Sequence, residues 1–479
     1  MADHLIVRRR IADTETPISA ILKLGAEEPG HFLFESIQGG HQLGRYSFIG
    51  VKPDLWWRVQ DGVAQTSRSS DFSEIIASSD EPLVDLDRFT EAARAESEED
   101  LPPMAAGAFG YLGYDMVRYY EPVGEKPEQV LPVPEAVLVR PRVVLIFDHL
   151  YQELILVASV RTSSDGADAE TKAVEALDEV EAALDGPGSP TPRGQSERVL
   201  EFKSNFSEET YADAVEKARD YIKAGDIFQV VPSQRFTCSY PYSSLAYYRS
   251  LRSLNPSAFM FHMRLGDAQL VGSSPEILVR VRDGRMSVRP IAGTRPRSND
   301  KAENLRRQEN LLNDAKECAE HLMLLDLGRN DVGRVCKYGS VEVTESFVVE
   351  HYSHVMHIVS QVEGNLREDK TLKDALMAGF PAGTVSGAPK IRAMQIIDEL
   401  EGNSRGVYGG AVGYFGWKGD LDTCIALRTA VIENDRLHIQ AGGGVVLDSD
   451  PEYEYQETMH KSQALKRAAE MAARFEGNQ

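Results

Sequence analysis

The run VLVRPRVVLIFDHLYQELILVASV, residues 137–160, narrows most sharply the folds open to this chain. Two stretches rich in Val, Ile and Leu flank a polar break at Asp148–His149. So short a connection joins antiparallel neighbours, because a parallel return needs a crossover of a dozen residues or more. The same grammar recurs along the chain. HFLFESIQGGHQLGRYSFIGVKPDLWWRVQDG (31–62), AQLVGSSPEILVRVRDGRMSVRP (268–290) and DTCIALRTAVIENDRLHIQAGGGVV (422–446) all read as strands joined by Gly-containing turns. Helical spacing appears between them without a regular strand–helix–strand alternation. It marks 17–24, a helix stopped by Gly225, 301–327, two helices around the loop 381–390, and 451–470. The expectation is an α+β fold with large antiparallel sheets and helices packed outside them.

Residues 1–185 read as a β-rich N-terminal region and 201–479 as a second region. The Pro/Gly/Ser-rich stretch 186–200 between them reads as a linker. The chain carries 52 Lys and Arg against 74 Asp and Glu, a net charge of −22, which argues against a nucleic-acid partner. An anionic substrate would therefore need a locally reversed field. Cys238, Cys318, Cys336 and Cys424 are scattered, as expected of reduced thiols. The first residues lack an apolar leader core and no long apolar run follows, so a cytoplasmic protein is expected.

Near the C-terminus, PEYEYQETMHKSQALKRAAE (451–470) places Glu454, Glu457 and Lys461 at i, i+3 and i+7, on roughly one helix face. A second acidic pair, Glu317 and Glu320, has the same spacing in 301–327. Four carboxylates from two helices would suit Mg²⁺. Such pairs fit a solvated face as well, and spacing does not choose between the readings. Gly442, Gly443 and Gly444 allow backbone to approach a ligand closely. The loop PAGTVSGAPK (381–390) precedes a helix whose N-terminus could take a carboxylate. Arg428, read as lying within a strand, is either paired in the core or free to hold an acid. His357 alternates with His354 across the faces of a strand and is a structural or a catalytic histidine.

Several long segments, in order, resemble the chorismate-utilising enzyme family. They are PIAGTRPR (290–297), LDLGRNDVGRV (325–335), EHYSHVMHIVSQVEG (350–364), FPAGTVSGAPKIRAMQIIDELE (380–401) and GGGVVLDSDPEYEYQETMHKSQAL (442–465). The resemblance covers about residues 200–468 strongly and 15–150 more weakly. It implies a Mg²⁺-dependent reaction on chorismate. Glu317, Glu320, Glu454 and Glu457 match the family's metal-associated acids. Gly293, Thr294, Thr384, Tyr408, Arg428, Gly442, Gly443, Gly444 and Lys461 match its substrate pocket. His357 matches the histidine of the pyruvate-elimination step, and Glu276 is a further candidate beside the reacting ring. Since chorismate is a dianion, Mg²⁺, Arg428, Lys461 and the helix N-terminus at 386–390 are expected to supply the positive field.

Two positions select among the family's reactions. Members that add water to chorismate carry a lysine where this chain has Gln229, and an amide is no general base at neutral pH. Members that form aminodeoxychorismate read PIKGT with a nucleophilic lysine, where this chain has Ala292. Together Gln229 and Ala292 point to ammonia attack at C2, loss of the C4 hydroxyl and elimination of pyruvate, giving anthranilate. The alternatives within the resemblance are aminodeoxychorismate and isochorismate or salicylate formation. No glutaminase-like segment is visible, so ammonia derived from glutamine would come from an amidotransferase subunit. FLFESIQGG (32–40) and NPSAFMF (255–261) resemble the two halves of a tryptophan-binding inhibitor pocket. That makes Glu35, Ser36, Ala258, Phe259 and Met260 inhibitor candidates, although the family more often has Pro-Tyr at 258–259.

Overall fold

A computed structural model of the chain describes residues 3–38, 42–188, 196–298, 300–352 and 355–476. The run that opened the sequence forms two antiparallel strands, Ala136–Asp148 and Glu153–Val160, in register from Glu153 opposite Asp148. Among the described residues, twenty-one strands join one continuous hydrogen-bonded network, and every extended pairing in it is antiparallel.

Two long strands, Tyr46–Gln60 and Ala136–Asp148, form the root of that network, and two limbs leave it. The first limb runs through Phe32–Glu35, Phe259–Leu265, Ala268–Ser274, Thr429–Glu433, Arg436–Gly442 and Ser233–Ser239. The second runs through Gly107–Leu112, Ala411–Gly416, Leu421–Ile425, Ile277–Arg282, Arg285–Val288, Val355–Asn365 and Ile291–Pro296. Residues from the root and both limbs, among them Phe34, Phe48, Phe109, Phe261, Val412 and Val431, share one apolar core. Phe34 and Phe48 stack there with centroids 5.1 Å apart, a geometry worth about 1 kcal/mol beyond area burial.

Helices cover the outer faces. The helices Pro451–Met471 and Ser244–Leu254 contribute Leu465, Ala468, Tyr247 and Leu251 to a core shared with the first limb. Ala315–Gly333 and Leu372–Gly379 contribute Leu325, Val332 and Leu376 to a core with the second. Helices outside large antiparallel sheets are the expected fold. Strands from the first 185 residues pair directly with strands beyond 201, as where Glu35 sits opposite Met260 and Leu112 opposite Ala411. Of the linker 186–200, residues 189–195 lie outside those described.

Two local expectations change. The helix expected over 301–327 is two, Lys301–Leu312 and Ala315–Gly333. The Asp314 carboxylate accepts from the backbone N–H of Lys316 and Glu317, so its capping outcompetes helix continuation. Arg428 does not lie within a strand. It ends a three-residue link between Leu421–Ile425 and Thr429–Glu433, with φ 48°. The segment 386–390 leads into the helix Lys390–Glu401, whose first turn has no side-chain cap. Gly387–Ala388 pairs with Gln229–Val230, and Lys390 is bonded at 2.9 Å to the buried Asp331.

Candidate active site

The two limbs are tied together where the chain passes from one to the other. Ala268–Ser274 belongs to the first limb and Ile277–Arg282 to the second, with Pro275 and Glu276 between them. Residues 426–428 make the reverse passage. The two corners hydrogen-bond to each other: Ile425 N–H donates to the Glu276 carbonyl at 3.1 Å, and Ser273 N–H to the Arg428 carbonyl at 3.1 Å. Each corner carries a candidate side chain, and both face a cleft of about 540 Å³.

Glu276 is buried there, and its carboxyl accepts from Thr384 Oγ1 at 3.2 Å. Burial pushes it up to about 8, against the pull of the Thr384 hydroxyl and of Arg428, so it holds its proton at neutral pH. Burial lowers the guanidinium pKa of Arg428 in turn, with Tyr352 and Glu276 opposing. Among the described residues that guanidinium has no ion pair or hydrogen-bond acceptor. A neutral acid beside an unpaired arginine favours a ligand that brings its own negative charge.

On the second limb a bulge between Ala292 and Thr294 leaves Gly293 at φ 66°. The Gly293 carbonyl is thereby offered to His357, whose Nδ1 lies 2.9 Å away and 3.1 Å from Thr294 Oγ1. A carbonyl only accepts, so Nδ1 carries the proton and Nε2 has the free lone pair. Burial lowers the imidazole's pKa and keeps it neutral. A Cβ at Gly293 would also meet Glu317 Oε2 at 3.1 Å.

The three glycines after Arg436–Gly442 act by making room. A Cβ on Gly442 would lie 3.0 Å from the Tyr408 hydroxyl, one on Gly443 3.0 Å from Glu454 Oε2, and one on Gly444 2.6 Å from Gln229 Nε2. Buried Tyr408 is held from behind by Arg405, whose guanidinium lies 5.4 Å from its ring. Arg405 is in turn bonded to Glu401 and to the carbonyls of Val385 and Val231. Gln229 donates to Glu320 Oε1 at 3.1 Å.

All four acids border the same cleft. Glu317 is paired with Arg295 at 2.8 Å, and Glu457 with Lys461 at 2.8 Å; Lys461 also donates to the Gly442 carbonyl. Burial raises Glu320, and it raises Glu454 to about 7, with Glu457 adding to the rise. Among the described residues no three His, Cys, Asp or Glu side chains already converge as metal ligands. The donor set nevertheless fits a hard dication. Glu454 Oε2 is buried without a hydrogen-bond partner, as is Gln229 Oε1, and oxygen is the donor Mg²⁺ takes.

Thus every expected catalytic, substrate and metal residue lies at one cleft, with Gly443 behind the wall next to Glu454. The sequence reading missed Arg295 and the Glu401–Arg405 pair. Arg295 stands two residues beyond Gly293, and a cation so placed was a usable signal. The buried Glu401–Arg405 pair shows only an ordinary i,i+4 spacing.

A second cavity of about 560 Å³ lies behind the corners, bordered by Phe34, Glu35, Ser36, Ala258 and Phe259. Met260 points the other way, fully buried beneath the helices of the first limb, as strand alternation requires. Gly39 and Gly40 of the expected inhibitor stretch fall outside the described residues. Glu35 is already engaged, accepting from Tyr248 Oη at 2.6 Å and Arg252 Nε at 2.7 Å.

Residues 42–467 match the model of the chorismate binding enzyme family, and the chain belongs to that family. It is 51% identical to anthranilate synthase component 1 of Cereibacter sphaeroides, over 99% of this chain and 96% of the relative. With the protein of that name from Thermus thermophilus identity is 47%, over 96% and 97%. The crystal structure of anthranilate synthase component I from Streptococcus pneumoniae superposes with a TM-score of 0.78 at 35% identity, covering 96% of this chain and 99% of that one. The Escherichia coli isochorismate synthase MenF shares the fold at 19% identity, with a TM-score of 0.72.

Proposed function

We propose that this chain is the chorismate-converting component of an anthranilate synthase. It would turn chorismate and ammonia into anthranilate, pyruvate and water. One observation carries the choice among the family's reactions. The cleft holds Gln229, bonded to Glu320 and fitted against the bare Gly444, where a base that activates water would be needed. Ala292 borders the same cleft and removes the lysine route. Near-full-length likeness to relatives named anthranilate synthase component 1 supports the same reading.

In this reading Arg428 and Lys461 hold the substrate's carboxylates. A bond forms between ammonia nitrogen and C2 while the C4 hydroxyl departs as water, taking the proton that Glu276 keeps at neutral pH. His357 Nε2, free because Nδ1 is bound to the Gly293 carbonyl, accepts the C2 proton as the bond from C3 to the enolpyruvyl oxygen breaks; the protons then shed by the imidazolium and by the added ammonium convert the departing enolpyruvate to pyruvate and restore Glu276. Glu317, Glu320, Glu454 and Glu457 would hold Mg²⁺, which supplies charge neutralisation at the ring carboxylate. The relatives' designation as component 1 supports a second subunit, which we take to be an amidotransferase supplying ammonia. The second cavity would take tryptophan as a feedback inhibitor.

The test is product formation by the purified chain with chorismate, MgCl₂ and an ammonium salt. Anthranilate fluorescence is expected with ammonium and not with glutamine alone. Isochorismate or salicylate without nitrogen incorporation would overturn the reading.

A further inference from the structure

Pro275 and Ile291 line both cavities, so the partition between them is one residue thick at those points. Tyr352 belongs to the same partition. It directly follows the strand Glu342–His351 and lines the second cavity. Its ring meets that of His357 edge to face, with centroids 5.3 Å apart and planes at 68°. On the far side its hydroxyl donates to Glu350 Oε2 at 2.9 Å, and Glu350 Oε1 accepts from Arg289 Nη2 at 2.5 Å. Glu350 and Arg289 both line the second cavity.

His357 is thus held from two directions. The Gly293 carbonyl and Thr294 hydroxyl fix Nδ1 within the sheet, while Tyr352 supports the ring. Glu350 is its cross-strand partner, and Arg428 and Glu350 are the charges that act on it. The anchors of the tyrosine, by contrast, belong to the neighbouring cavity. That cavity offers Phe34, Phe48 and Phe259 together with the ion pairs Arg280–Asp422 and Arg289–Glu350, which a ligand that is aromatic and carries charge of both signs could engage.

We propose that Tyr352 is a positioning residue for His357. Through it, a ligand in the second cavity acts on the imidazole by moving the Arg289–Glu350–Tyr352 chain. The proposal deepens the functional reading above and rests on it for the meaning of a rate.

The experiment uses the full chain as wild type, Tyr352→Phe and Tyr352→Leu, with histidine labelled in ¹⁵N and the His357 signal assigned from His357→Gln. Without substrate, wild type and the Phe variant should both show His357 protonated at Nδ1, whereas the Leu variant should show a mixture of tautomers. With chorismate and ammonium, the Phe variant should keep kcat within about threefold. The Leu variant should lose about ten- to a hundredfold in kcat with KM within threefold, as expected when a group is mispositioned for the chemical step. L-Tryptophan, with binding followed by calorimetry, should shift the His357 signal in wild type. It should bind the Leu variant without shifting it.

A Leu variant equal to wild type in tautomer and kcat would overturn the positioning role, as would a Phe variant as damaged as the Leu variant. Tryptophan bound to both proteins with the same His357 shift would overturn the coupling. Wild type that makes no anthranilate would defeat the functional reading alone, because the tautomer comparison needs no turnover.

Discussion

At the scale of single residues the site depends on environments that spacing does not reveal. Burial at a corner, opposed only by the Thr384 hydroxyl and Arg428, lifts Glu276 from 4.5 to about 8. The folded protein therefore keeps a proton there that the unfolded chain gives up between those values. This group's contribution to stability falls as pH rises across that window. Glu276→Gln should lower kcat at least a hundredfold at pH 7.5 with KM for chorismate little changed. In urea it should unfold at a higher midpoint than wild type at pH 9 but not at pH 5; equal midpoints at pH 9 would refute the burial argument. Gly444→Ala should push Gln229 off Glu320 and raise KM, while the urea midpoint stays nearly unchanged because Gln229 is a flexible side chain. Residue types at the site were legible as motifs, including both acidic pairs and Gly293. The conformation of Arg428 was not, since its apolar neighbours read as a continuing strand and nothing local announced φ 48°.

At the scale of elements the sequence was most readable where a cap or a glycine stops a periodic pattern. The helix Pro451–Met471 begins where the expected stretch 451–470 begins, with the Asp450 side chain accepting from Tyr453 N–H. It was least readable at Asn313–Asp314, where helical spacing continues through the break. Asp314 does double service there, capping Ala315–Gly333 and accepting from Arg295 at 2.7 Å. Asp314→Ala should cost about 1 kcal/mol for the lost cap. It should also weaken Mg²⁺ binding, because Glu317 and Glu320 occupy the first turns of that helix. Urea unfolding and calorimetric titration with MgCl₂ measure the two effects separately.

At the scale of the molecule the acids and the net charge act together. With Glu454 lifted to about 7, a cation at the proposed metal site would compete with a proton below that pH. MgCl₂ should raise the melting temperature clearly at pH 8 and much less at pH 6, and Glu457→Gln should abolish the rise at both. A rise of equal size in that variant would remove the metal assignment. Fold class was legible because strand periodicity and short turns exclude a parallel sheet. Limb membership was not, because pairings such as Glu35 with Met260 carry no local signal.

That long-range pairing bears on how the chain is made. During synthesis on a ribosome the strand Phe32–Glu35 emerges early, yet the Tyr248 hydroxyl that bonds Glu35 comes from 213 residues downstream. The corner at Glu276 likewise waits for Ile425. The first limb must spend much of translation with an open apolar edge, the condition that invites misassembly. Neither cleft wall can close before the strands Leu421–Ile425 and Arg436–Gly442 have left the exit tunnel.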